Sequence, residues 1–202
     1  MTGPAGRLPA TGGFRLRAAH IPNLLCVLRI LLVPPIALLL LRGQYLAALG
    51  VVFVAGLSDG LDGFLAKRYH WQSRLGGLLD PIADKLLLTT TYVALTVQGL
   101  VPPWLTTVVI GRDLVIVSGG LAYQWLVRPV QPEPSKASKL NTGTQLLFLV
   151  SVIAVAALPG VVPPERAAAV LMGLGAAVFV TTTVSGLDYV LRWGQRAAGR
   201  GR

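Results

Sequence analysis

Polar and apolar positions along the chain divide it into six apolar runs joined by short links rich in glycine, proline and charge. The runs are Asn23–Leu41, Leu46–Leu65, Leu78–Val97, Trp104–Val127, Leu140–Leu158 and Ala167–Leu191. Each is close to the roughly 20 helical residues that cross the hydrocarbon of a bilayer. The second is the least clean, because Asp59 and Asp62 fall in its last third. Between the runs lie Arg42-Gly43-Gln44, then Lys67 to Gly77, Gly99 to Pro103, Arg128 to Lys139, and Pro159 to Arg166. Pro102-Pro103 and Pro163-Pro164 sit just before runs, where proline is compatible with a helix start. Pro34-Pro35 lies inside the first run and predicts a kink there. No link is long enough for a second domain, and no internal repeat is visible. The pattern predicts an all-α chain with a basic N-terminal segment (1–22), a six-helix unit (23–191) and a short basic tail (192–202).

Composition turns six helices into six membrane spans. Of 202 residues, 53% are hydrophobic and only 13% charged, with a mean hydropathy of +0.66. Soluble domains carry roughly 25% charged residues. A chain this small keeps much of its side-chain surface outward, and water does not tolerate so apolar an exterior. A soluble globule, a disordered chain and a disulfide-stapled module are therefore excluded; the single Cys26 has no partner with which to form an internal bridge. The acid-free N-terminal stretch with Arg7, Arg15 and Arg17 resembles a signal sequence, with a mitochondrial presequence as a weaker reading. The next apolar run follows without anything resembling a cleavage site, so the first span is expected to be retained.

The 18 Lys and Arg outnumber the 8 Asp and Glu, for a net charge of +10. Sorted by side of a six-span topology, the excess is one-sided. Arg7, Arg15 and Arg17, then Lys67, Arg68 and Arg74, then Arg128, Lys136 and Lys139, and finally Arg192, Arg196, Arg200 and Arg202 share one face. Arg42 and Arg166 face the other way, while Arg29, Lys85 and Arg112 fall inside spans. The positive-inside rule makes the richer face cytoplasmic, with both termini. The charge is thus topology plus attraction to anionic lipid headgroups, and nucleic acid is not needed as a partner. A bacterial inner (plasma) membrane is the expected location.

The candidate chemistry lies in the acids. Asp59, Asp62, Asp80, Asp84 and Asp113 sit within or at the margins of apolar runs, where an isolated carboxylate costs on the order of 3 kcal/mol. Asp59 and Asp62 are spaced i, i+3 and Asp80 and Asp84 i, i+4, so each pair occupies one face of its helix. The two helices are joined by a short cytoplasmic link and are expected to be antiparallel neighbours. Four converging carboxylates repel one another strongly unless cations lie between them. Their charge matches two divalent ions, and oxygen ligands favour Mg²⁺ or Mn²⁺. Gly56, Gly60, Gly63, Gly76 and Gly77 in the same stretch permit close approach of helices or of a phosphate. Two metals beside Lys67, Arg68 and Arg74 describe a phosphate-ester or pyrophosphate site. The bland alternative is a set of buried salt bridges from the aspartates to Lys85, Arg29 and Arg112.

Written out, the stretch is Asp59-x-x-Asp62-Gly63-x-x-Ala66-Lys67, eight residues, then Gly76-x-x-x-Asp80-x-x-x-Asp84. It closely resembles the signature of the CDP-alcohol phosphatidyltransferases, D-x₂-D-G-x₂-A-R-x₈-G-x₃-D-x₃-D. The one departure is Lys67 in place of the arginine, with Arg68 beside it; lysine keeps the charge but loses the bidentate fork. The resemblance implies a six-helix membrane enzyme that exchanges the CMP of a CDP-linked lipid for an alcohol, using two divalent cations, Mg²⁺ or Mn²⁺. It implies metal ligation by Asp59, Asp62, Asp80 and Asp84 and contacts to the CDP moiety from Asp59, Asp62, Gly63, Lys67, Arg68, Gly76 and Asp80. Asp84 would also be the catalytic base. Homodimers are common in the family.

Four further stretches look most like the CMP-forming cardiolipin synthases, which join CDP-diacylglycerol to phosphatidylglycerol. They are Ile21-Pro22-Asn23-Leu24-Leu25, Arg29-Ile30, Gly111-Arg112-Asp113, and Ser138-Lys139-Leu140-Asn141-Thr142 with Gln145-Leu146. The bacterial phosphatidylglycerophosphate synthases, which use glycerol 3-phosphate, share the first two but usually carry an Arg-Glu pair and a Gly-Lys-x-Lys-Thr pattern at the others. Arg112, Lys136 and Lys139 are the candidate acceptor-binding cations, although the two lysines equally suit topology. His20 and His70 read as interfacial residues, and Trp71, Trp104, Trp125 and Trp193 as belt anchors. A rival from another class is an ion-coupled transporter with the aspartates as its pathway. The clustering of the acids at one end of two helices argues against it.

Overall fold

The computed structural model describes residues 21–69, 76–126 and 136–198, with side chains described in 24–58, 82–119 and 137–191. Six helices and no strand occur among these residues: α1 (Ile21–Leu41), α2 (Tyr45–Tyr69), α3 (Gly76–Val97), α4 (Pro103–Leu126), α5 (Lys136–Ala157) and α6 (Pro164–Ala198). Every apolar run is a helix. α1 continues unbroken across Pro34 and Pro35. α5 begins a turn before its apolar run, and α6 continues beyond Leu191 to Ala198, into the stretch read as a tail.

Tight turns close three helix pairs at one end of the bundle. At the end of α1 the Gly43 N–H donates to the Leu40 carbonyl and the Gln44 N–H to Leu39. Gly99 and Leu100 repeat the pattern on Thr96 and Leu95 after α3. This double hydrogen bond needs a left-handed residue after the helix, and Gly43 and Gly99 have φ of 70° and 72°. The short connections make successive helices antiparallel. α1 packs on α2 and α3, α6 on α4 and α5, and α2 against α5 joins the two groups. The Gln98 amide donates to the Leu40 and Leu41 carbonyls at 2.9 and 2.6 Å, tying α3 to the end of α1.

The interior is polarised along the bundle axis. The half nearest the tight turns holds an apolar core that includes Ile36, Leu40, Val52, Tyr92, Leu95, Leu105, Phe148, Ile153 and Val178. Gly175 lets Phe148 and Leu105 pack against α6. The opposite half holds the buried polar residues Arg29, Asn141, Gln145, Thr182 and Ser185. Outward positions are apolar: Leu31, Phe53, Leu114, Leu140 and Met172 are all more than half exposed. Water would penalise such a surface and lipid accepts it. Among the described residues, α1, α5 and α6 are long and apolar enough to cross a membrane. The other three have side chains described over shorter stretches, and they carry Asp59, Asp62, Lys67 and Arg68 on α2, Asp80, Asp84 and Lys85 on α3, and Arg112 and Asp113 on α4. Trp104, at the start of α4, is exposed and meets Phe179 edge-on.

Ile153→Ala, which empties a fully buried site, is expected to cost about 2–5 kcal/mol through the cavity it leaves. Leu31→Ala on the outer face should change stability by less than about 0.5 kcal/mol. Unfolding of each variant in detergent, followed by circular dichroism, checks the contrast.

Candidate active site

The two aspartate pairs lie on continuous helix, Asp59 and Asp62 in the second half of α2, Asp80 and Asp84 in the first three turns of α3. Each pair therefore shares one helix face at the polar end of the bundle. The side chains of Asp59, Asp62, Gly63, Lys67, Arg68, Gly76, Asp80 and Lys136 lie outside the described residues, as do residues 1–20 and the links with His70, Trp71, Arg74 and Arg128. Among the described residues no three ligating side chains gather as a metal site, since Asp84 is the one member of the quartet whose side chain is described.

Asp84 meets Arg29 across the α1–α3 contact: Arg29 Nη1 donates to Asp84 Oδ1. The two ends differ in burial, with Arg29 at 1% exposure and Asp84 at 43%. The cation is sealed into the helix packing while the carboxylate keeps an open face. A partly open carboxylate oxygen is a donor that a hard divalent cation accepts, so Asp84 fits the ligand set implied by the sequence.

A second polar knot joins α3, α4, α5 and α6. Lys85 Nζ and Arg112 Nη1 both reach Asp113 Oδ1, at 2.8 and 2.6 Å. Arg112 Nη2 donates to Ser138 Oγ on α5 at 2.9 Å and to Ser185 Oγ on α6. Gly186 leaves room for the stem of Arg112. One turn further along α5, Asn141 Oδ1 accepts from Thr181 and Thr182 at 3.0 and 2.8 Å. The sequence offered Arg112 as an acceptor-binding cation. The structure buries its guanidinium among Asp113, Ser138 and Ser185, which makes it a tie between helices. Lys139 is exposed at the start of α5.

Part of the salt-bridge alternative thus holds: Asp84 pairs with Arg29, and Asp113 with Lys85 and Arg112. The sequence suggests the adjacent Arg112–Asp113 pair but assigns no partners to Arg29 and Lys85. It did not find the threonine and serine partners on α6, whose only signal was Thr181-Thr182-Thr183 and Ser185 inside an apolar run.

The sequence matches the CDP-alcohol phosphatidyltransferase family over residues 19–183. The chain belongs to that family. Curated relatives divide between two activities. The chain is 35% identical to a cardiolipin synthase (CMP-forming) of Rattus norvegicus over 150 residues, covering 66% of this chain and 50% of the relative. It is 33% identical to a probable phosphatidylglycerophosphate synthase of Mycobacterium tuberculosis over 192 residues, covering 91% of this chain and 87% of the relative. It is 35% identical to a CDP-diacylglycerol–glycerol-3-phosphate 3-phosphatidyltransferase of Aquifex aeolicus over 138 residues, 66% of this chain and 75% of the relative. The chain spans about half the length of the cardiolipin synthases it matches.

Asp113→Ala strips Arg112 and Lys85 of their shared anion. Because the Arg112 side chain is only 7% exposed, the expected cost is about 3 kcal/mol. Lys85→Ala should cost no more than about 1 kcal/mol, since that side chain is 38% exposed. Melting temperatures of the two variants in one detergent test the order.

Proposed function

We propose that this chain is a CMP-forming cardiolipin synthase, transferring the phosphatidyl group of CDP-diacylglycerol to phosphatidylglycerol. One observation carries the choice. Gly111-Arg112-Asp113 and Ser138-Lys139-Leu140-Asn141-Thr142, the stretches that set the chain apart from the usual phosphatidylglycerophosphate synthase pattern, meet in one knot through Arg112 and Ser138. An apolar groove of about 680 Å³ between α2 and α5 suits a lipid substrate. Leu46, Phe53, Leu57, Leu146 and Val150 line it, and it reaches Gly56 and Leu57 just before Asp59. In this reading all six helices span a bacterial inner membrane, with the basic segments 1–22 and 192–202 and the aspartate site on the cytoplasmic side.

Asp59, Asp62, Asp80 and Asp84 hold two divalent cations, Mg²⁺ or Mn²⁺. When bound, these supply charge stabilisation at the pyrophosphate and the leaving phosphate. Gly63, Lys67, Arg68 and Gly76 complete the CDP contact, with the arginine role shared between Lys67 and Arg68. The acceptor hydroxyl oxygen bonds to the lipid-side phosphorus, the bond from that phosphorus to the CMP oxygen breaks, and a carboxylate oxygen of Asp84 takes the hydroxyl proton. CMP leaves with the electron pair. Lys136 and Lys139 draw the acceptor's phosphodiester, while Arg112 shapes that side of the site from behind. Holding donor, acceptor and base in line provides most of the acceleration.

The length match to the mycobacterial relative favours a second reading, phosphatidylglycerophosphate synthase with glycerol 3-phosphate as acceptor. Purified protein supplied with CDP-diacylglycerol, Mg²⁺ or Mn²⁺, and each acceptor in turn decides between them. Cardiolipin and CMP are expected with phosphatidylglycerol; product with glycerol 3-phosphate alone moves the assignment to the second reading. Asp84→Asn should lower CMP release about 10²–10⁴-fold while CDP-diacylglycerol binding persists. Native turnover in that variant contradicts the role of Asp84.

A further inference from the structure

The Arg29–Asp84 pair is built unlike the other ion pairs among the described residues. Arg29 is the largest fully buried side chain described, yet its partner carboxylate stays open. A bridge that only fastened α1 to α3 would need no open carboxylate, and an exposed ion pair contributes little to stability. Sealing only the cation does something different. A guanidinium fixed in the helix packing holds one oxygen of a short side chain, and so fixes the direction in which the rest of the carboxylate faces. The adjacent cation does not compete for it: Lys85, next to Asp84 in sequence, is held on Asp113 of α4. Asp84 lies one helical turn beyond Asp80 on the same face of α3.

We propose that Arg29 is a positioning residue for phosphatidyl transfer, orienting the Asp84 carboxylate toward the metal and acceptor side of the site from a buried seat on α1. The proposal rests on the reading of Asp84 given above. Arg29 touches neither substrate nor metal and acts through Asp84. Orientation and bare charge predict opposite signs for metal binding. Losing a nearby cation without losing orientation would tighten the hold on Mn²⁺, whereas losing orientation loosens it.

The test uses the full chain in detergent with Arg29→Met, which fills similar volume without burying a polar group, and Arg29→Lys, which keeps the charge but not the fork. Mn²⁺ binding is read from the electron paramagnetic resonance signal of the free ion, and kcat and KM for CDP-diacylglycerol from CMP release. Arg29→Met is expected to weaken Mn²⁺ binding about tenfold and lower kcat about 10–100-fold, with KM within about threefold of native; supporting groups around metal ligands typically have effects of this size. Arg29→Lys should fall between Arg29→Met and native in both. Circular dichroism confirms that each variant is folded, and Arg29→Gln replaces the methionine variant if that one is not. Folded Arg29→Met or Arg29→Gln with native or tighter Mn²⁺ binding, or with native kcat, overturns the proposal. Asp84→Asn separates the two levels. Native turnover there removes the reading on which the proposal rests. An inactive Asp84→Asn beside a native-like Arg29→Met removes the positioning role alone.

Discussion

A charged side chain inside a bundle surrounded by lipid must find its counter-charge within the protein, and this constraint organises the whole molecule. Water is not there to solvate a lone guanidinium, and breaking such a pair exposes the full desolvation penalty. Arg29, Lys85 and Arg112 are the basic residues inside the runs, and all three are matched, Arg29 to Asp84 and the other two to Asp113. These pairs cross from α1 to α3, from α3 to α4 and, through the serine partners of Arg112, on to α5 and α6. Charge pairing and the serine hydrogen bonds of Arg112 therefore link five of the six described helices in the polar half, while apolar packing holds the other half.

That division suits the phosphatidyl transfer proposed for this chain. The tight-turn half, with its buried Leu, Ile and Phe, is a rigid base that keeps helix register. The polar half can then carry more carboxylate than a membrane protein ordinarily tolerates. Arg112, from which a substrate contact was expected, fixes α4 against α5 and α6 instead. Such internal ties explain how a chain with only 13% charged residues maintains a concentrated site without dissolving the bundle around it.

The helices were legible because each is a long run of apolar residues between breaker-rich links, and six such runs stand out. Their ends were less legible. Hydropathy stops where the lipid stops, but the hydrogen-bond ladder does not, so α6 continues through Arg192 to Ala198 and α5 begins at Lys136 rather than Leu140. The aspartate spacing was legible because it follows the helical period, and both pairs fall on continuous helix. Which cation serves which acid was not, since Lys85 sits beside Asp84 in sequence and yet pairs with Asp113. That choice depends on which helices touch, α1 with α3 in one case and α3 with α4 in the other. The polar ladder of Asn141, Thr181 and Thr182 was hidden for the same reason: single polar residues in an apolar run do not reveal whether they face lipid or one another.

The central claim is that the aspartates of α2 and α3 form one two-metal site. Its most direct measurement is the number of Mn²⁺ ions bound per chain in the presence of CDP, determined by equilibrium dialysis on the native protein and on a variant in which Asp59 and Asp80 are both asparagine. Two ions bound per native chain, with both lost in the double variant, is the result this account requires. Native-like binding in the double variant, or no binding by the native chain, would contradict it.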